Sequence, residues 1–287
     1  FRSGTGFLVL HGESRAPSIL DAETVVWLGA GDHPGDVMVA AVRARDPGGI
    51  GEVRAGRMLV STGAVRPVHL DGIDAIARAP SGTSAEVFGG VPVTPDGEPR
   101  DFDWAAGGRI AQRAGQAVTA GISYVQLRTG GAVAYEELGF DAAVAPARWI
   151  DAAAAGAVDL ARPGLADGRA SLALRPLAGL RFELFAVHRA PSHLLPATSL
   201  FAALGDVPST RAGGSLLWRA APRLDVLAEG AGEWLGGDPG MWLSLRTTLR
   251  LDDRGDRALG LELRRQGAPD ASWTGVRATA RLPLSRL

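Results

Sequence analysis

The sequence predicts an all-β chain: a single closed antiparallel β-barrel that crosses a membrane with about sixteen strands, eighteen being the nearest alternative. Three observations carry this. In Met241–Asp252, Met241, Leu243, Leu245, Leu249 and Leu251 fall on one side of an extended strand, while Ser244, Arg246, Thr248 and Arg250 fall on the other. A helix would scatter these residues around its circumference, whereas a period of two separates them. The pattern returns in Leu259–Arg264 and Val276–Leu282, with turn-rich stretches between. Turn signals arrive from end to end of the 287 residues with no linker or low-complexity break, so residues 1–287 are read as one domain.

The strands are expected in order as follows. The first six lie at 5–13, 22–30, 36–46, 51–60, 70–79 and 84–93, each bounded by turn-forming residues. Strands at 102–114, 117–128 and 133–145 follow, joined by the short turn Ala114–Gln116 and by the longer segment Thr129–Ala132. The short turn Val144–Ala147 leads into 149–161, an alanine-rich stretch that resists the strand reading because alanine favours helix. There Asp151 and Asp159 share a parity opposite to Ile150, Val158 and Leu160, and Gly156 weakens a helix, so a strand is retained. Strands at 168–176 and 179–189 flank the turn Arg175–Gly179. The longest connection, 190–209, contains Ser199–Gly205, whose N-cap serine and terminal glycine predict a short helix, folded into the lumen or over its mouth.

The last five strands, 210–220, 223–235, 240–252, 256–266 and 272–282, alternate between short turns (Ala221–Arg223, Asp252–Gly255) and longer segments (Gly236–Gly240, Gly267–Ser272). Arg162–Gly168 is a longer segment as well. Short periplasmic turns and longer outer loops are the asymmetry of a barrel in an outer membrane. This makes seventeen strands, an odd number. Either one early strand is a loop or another precedes Phe1.

Charge falls on one parity. The candidate pore-lining residues are Arg109, Arg113, Asp141, Asp151, Asp159, Arg169, Arg175, Asp225, Glu229, Glu233, Arg246, Arg250, Glu262, Arg264, Arg277 and Arg281. The opposite parity holds Phe140, Val144, Leu172, Leu174, Phe182, Leu184, Leu216, Val226, Leu243, Leu245, Leu261 and Leu263, the expected lipid-facing set. An arginine aimed at the bilayer midplane costs roughly 2–4 kcal/mol, which is why the two sets separate. Trp104, Trp149, Trp242 and Trp273 open strands, and Trp218 and Trp234 lie near strand ends, as interfacial girdles require; only Trp27 reads as central.

Composition sets the exclusions. Hydrophobic residues make up 46% of the chain, yet no run approaches the ~18 apolar residues of a membrane helix. With no cysteine there is no disulfide, thiolate metal site or cysteine nucleophile. All thirty basic residues are arginine and the net charge is −1, which argues against nucleic acid as a partner. Gly29–Gly35 lacks the spacing of a nucleotide loop, and a chain without lysine cannot form a Walker A site. The five histidines form no HExxH motif, and no G-x-S-x-G nucleophile is present, so no metal, cofactor or enzymatic activity is expected, although Asp71 near His69 and Ser192 beside His193 are neighbours in sequence. Phe1-Arg-Ser-Gly is not a signal peptide, so an exported chain has been processed or lacks its N-terminal part.

The strand architecture over nearly the whole length, together with Glu52–Arg57 followed by Leu70-Asp-Gly72, resembles bacterial outer-membrane porin-like barrels, including the alginate-export group. The closing strand, Thr274–Ala280, is similar to a terminal strand read by the barrel-insertion machinery, although the chain ends in Leu287 and not in Phe or Trp. The resemblance implies a bacterial outer-membrane location in contact with lipid and passive diffusion of small hydrophilic solutes or ions. The alternative is a barrel that serves as a scaffold, a sheath around a partner protein such as a periplasmic electron carrier or an anchor in a surface complex. A soluble β-sandwich or propeller is the third reading; it requires the leucines to pack against a second layer.

Overall fold

The computed structural model describes residues 7–15, 19–29, 35–93, 103–194, 207–252, 256–268 and 271–282. Strands β1 to β7 are Phe7–Arg15, Leu20–Gly29, Gly35–Arg45, Gly51–Val60, Val68–Arg78, Thr83–Pro92 and Trp104–Ala114. Strands β8 to β12 are Val118–Thr129, Ala132–Ala147, Ile150–Asp159, Gly164–Leu177 and Leu180–Arg189, and a single helical turn, α1, covers Pro191–Leu194. Strands β13 to β17 are Ser209–Ala221, Leu224–Leu235, Asp238–Arg250, Ala258–Gly267 and Ser272–Arg281. Every strand expected from the alternation is present, the largest difference at an end being four residues, at Gly164. The alanine-rich segment is β10. The helix expected at 199–205 lies outside the described residues.

All seventeen strands belong to one hydrogen-bonded sheet, in which β2 to β9 follow one another and so do β10 to β17. In addition, β1 is bonded to β2. The odd count is thereby explained: sixteen strands make the series and β1 is extra. The registers are antiparallel throughout β1–β7 and β11–β17.

The connections differ in places from the expected ones. Thr129–Ala132 and Gly236–Gly240, read as longer segments, are tight two-residue turns at Gly130-Gly131 and Gly236-Gly237. All four glycines have positive φ (58°, 80°, 59° and 102°), the backbone that a two-residue hairpin demands and other residues rarely adopt. Val144–Ala147, read as a turn, is the end of β9; Ala145 N–H donates to Ala117 O at 2.7 Å, so pairing continues up to Pro146. At Pro176 a register shift between Leu174 and Leu177 lets the strand absorb the missing amide.

The chain forms two compact units, residues 1–115, 119–141 and 157–164, and residues 116–118, 142–156 and 165–287. In the second unit the register fixes the faces. Leu174, Phe182, Leu216, Ala228, Leu245, Leu263 and Val276 stand opposite one another in succession across β11 to β17. One residue away, on the other face, the row is Ala173, Glu183, Ser215, Glu229, Ser244, Arg264 and Gly275. The apolar face is uncovered: Leu245 is 45% exposed, Leu263 47% and Val276 70%. Among the described residues no second layer covers these leucines, as a soluble sandwich would require.

In the first unit, Ala22, Val42, Ala55, Ile73, Gly89 and Ala106 make one row, and Asp21, Arg43, Arg54, Asp74, Phe88 and Gly107 the other. Here too the apolar row is open, with Ile73 57% exposed. The polar face carries the core of the unit. Met58, Val60, Val68, Leu70, Phe88, Ala105, Val125 and Tyr135 are buried there beneath Val65, which belongs to the short segment 61–67 joining β4 to β5. Met58 and Leu70 are fully buried, and each such side chain contributes about 1.5–3 kcal/mol relative to exposure.

Candidate functional site

In the second unit, strand pairing gathers eleven of the sequence-derived ionic residues on the polar face: Arg169 and Arg175 on β11, Asp225, Glu229 and Glu233 on β14, Arg246 and Arg250 on β15, Glu262 and Arg264 on β16, and Arg277 and Arg281 on β17. They do not form a basic wall opposed to an acidic one. Acids and bases interleave on adjacent strands. Asp225 Oδ2 accepts from Arg250 Nη2 at 2.6 Å and its Oδ1 lies 3.4 Å from Arg219 Nε. Glu262, opposite both Arg246 and Arg277 in register, pairs with Arg246 at 3.3 Å and with Arg264. Asp151 on β10 pairs with Arg175. Among the described residues, Arg169, Glu229, Glu233, Arg277 and Arg281 make no ion pair. Partly exposed pairs of this kind each contribute about 0.2–1 kcal/mol, so the ladder sets an electrostatic surface more than it holds the sheet together.

In the first unit Arg109 on β7 reaches across β8 to Asp141 on β9, donating from Nε to Oδ1 at 3.1 Å and from Nη2 to Oδ2 at 2.5 Å. Gly121 makes the crossing possible: a Cβ there would stand 2.7 Å from Arg109 Nη2. Arg113, one turn of the pleat further on, is exposed. Asp159 is fully buried, accepting from Arg162 N–H at 2.9 Å and pairing with its guanidinium at 3.4 Å at the end of β10.

Several groups on the polar face were not singled out from the sequence. Arg43 and Arg45 share Asp21, at 2.8 Å and 3.0 Å, and Arg54 pairs with Asp74 at 3.2 Å. The same alternation marks them, since Arg43 and Arg45, and Glu52 and Arg54, sit two apart. The segment 61–67 carries no such mark. It lies over the polar face and is fastened at three points: Thr62 Oγ1 donates to Glu86 Oε2 at 2.6 Å, Ser123 Oγ accepts from Ala64 N–H at 3.3 Å, and Glu137 accepts from Arg66 N–H at 3.0 Å and Arg66 Nε at 2.6 Å. Arg66 also stacks on Tyr135, 4.0 Å from the ring centre. The Glu52–Arg57 and Leu70–Gly72 motif is a cross-strand pair: Arg57 and Asp71 are register partners joined by two bonds of 2.8 and 2.9 Å.

Tryptophan placement divides. Trp218 and Trp234 lie on the apolar face, 48% and 43% exposed, where a girdle belongs. Trp27, read as central, lies two residues from the end of β2. Trp242 and Trp273, however, are on the ionic face, both opposite Gln266 in register.

No family model matches the sequence, and no curated protein is similar to it. Solved structures are similar in fold. The outer-membrane protein OpdK of Pseudomonas aeruginosa matches over 96% of this chain and 92% of its own, with a TM-score of 0.52 at 11% identity. OccK11 (OpdR) of the same organism matches over 96% and 88%, with a TM-score of 0.51 at 13% identity. Wzi of Escherichia coli, an outer-membrane protein involved in group 1 capsule assembly and a carbohydrate-binding β-barrel, matches over 96% and 77%, with a TM-score of 0.50 at 11% identity. With its sixteen-strand antiparallel series, uncovered apolar rows and ionic opposite face, this chain has the fold of the porin-like outer-membrane β-barrels.

Proposed function

We propose that the protein resides in the bacterial outer membrane as a channel for passive diffusion of small hydrophilic solutes or ions. The observation that carries this reading is the pair of adjacent rows in the second unit, one of open leucines and the next of ions. Side chains 45–70% exposed on a continuous apolar face are stable in hydrocarbon and not in water. The ionic face then borders the aqueous path, and its residues, from Arg109, Arg113, Asp141 and Asp151 to Arg277 and Arg281 at the end, set selectivity, whereas the buried Asp159 holds Arg162 at the end of β10. Segment 61–67, fastened over the polar face of its unit, narrows the path on that side.

Planar-bilayer recording of the detergent-purified protein tests the reading. Stepwise single-channel conductance is the expected result. A membrane-inserted protein with no conductance points instead to the sheath that holds a partner, and a protein that stays monodisperse without detergent rejects the membrane assignment.

A further inference from the structure

Two tryptophans of the second unit are not where a lipid girdle needs them. Trp242 and Trp273 stand on the ionic face of β15 and β17 with Gln266 of β16 between them. At one strand spacing on either side of Gln266, their backbones are about 10 Å apart, wider than a single sugar or benzene ring. Both are fixed from behind. The Arg211 guanidinium covers one side of Trp242, 4.7 Å from its ring centre. Trp273 lies down along its own strand over Gly275, where a Cβ would come within 2.8 Å of the indole. A cavity of about 290 Å³ opens against this wall, lined by both tryptophans, Arg211, Glu229, Ser244 and Gln266 among others.

The charge of the wall narrows the ligand. Arg264, which also borders the cavity, is already paired with Glu262. Glu229 stands between Ser215 and Ser244 in register, and neither it nor Arg211 and Arg265, which also border the cavity, makes an ion pair among the described residues, so the wall offers an acceptor and donors side by side. A neutral polyhydroxylated ligand uses both kinds of group: its hydroxyls donate to Glu229 and accept from Arg211, Gln266 and Ser244, while its C–H faces rest on indole. We propose that this wall is a two-station binding site for a neutral oligosaccharide, one ring on Trp242 and one on Trp273.

The site rests on the channel reading only for its access from water, so it is tested without conductance. Intrinsic tryptophan fluorescence of the detergent-solubilised full chain is titrated with maltotetraose and, separately, with cellotetraose, with sodium benzoate as the anionic ring. Saturable quenching by at least one tetrasaccharide and none by benzoate is expected. Trp273→Leu weakens binding about tenfold or more, and Gly275→Ala, which keeps the indole but lifts it from the strand, weakens it as well. Trp218→Leu, on the apolar face, leaves binding unchanged and controls for folding. Quenching by benzoate alone, by neither tetrasaccharide, or equally in wild type and Trp273→Leu overturns the proposal; block of the pore without such binding leaves the channel standing and the site refuted.

Discussion

Leu245 and Thr248 are three residues apart on β15 and on opposite faces, so an arginine at each isolates the effect of facing. Leu245 lies seven residues from the start of its strand and five from the end, between Ala228 and Leu263, and is 45% exposed. Its neighbours across both strand pairs are apolar, and the carboxylates of this unit's sheet stand on the other face. Leu245→Arg is therefore expected to cost about 2–4 kcal/mol, the value for a cation near the bilayer midplane. Thr248→Arg places the same cation opposite Asp225, beside Arg250, where water and a carboxylate receive it at little cost. At 1.36 kcal/mol per decade the two variants should differ by about thirty- to a thousandfold in folding equilibrium. The measurement is reversible folding into phospholipid vesicles from denaturant, followed by tryptophan emission. Equal losses from the two, or a larger loss from Thr248→Arg, would refute the assignment of faces.

Three further outcomes are expected. Arg246→Glu with Arg250→Glu shifts the reversal potential in a salt gradient toward cations; an unmoved potential removes both from the aqueous path. Gly121→Val displaces the Arg109 guanidinium, so it reproduces the selectivity change of Arg109→Gln, and the double variant adds nothing further; additive changes would show that Gly121 does not position Arg109. Glu137→Ala leaves Arg66 without this carboxylate in a nearly closed site, the side chains being 12% and 1% exposed, and costs about 3–5 kcal/mol. Its measurement is the denaturation midpoint together with tryptic cleavage after Arg66, and unchanged values on both would show that segment 61–67 is not held by this pair.

How much of this was legible in the sequence follows from the range of the forces involved. The strands were, because the alternation of Met241–Asp252 is imposed locally by two solvents on two sides, and a residue's parity along its own strand needs no knowledge of its neighbours. Even the alanine-rich β10 obeyed parity over propensity. The two hairpins at Gly130 and Gly236 were misjudged in length because paired glycines serve a loose loop and a tight turn equally until the register closes on them. Trp242 and Trp273 were read as girdle residues because strand-end position says nothing about which face a ring occupies.

The amino-acid order by itself determined where the strands run, the division of each into an apolar and an ionic side, and the all-β class, since all three are properties of period two; that sixteen make the series and β1 is extra was decided by the pairing. Only the tertiary structure decided which ions meet and what covers the polar face. Arg109 finds Asp141 thirty-two residues away through a gap at Gly121, and a seven-residue connection lies down on Ser123 and Glu137 from strands far along the chain. Such contacts depend on inter-strand register and on the path of a loop through space. Neither is written in any one segment, because each is settled by the pairing of strands with the rest of the sheet.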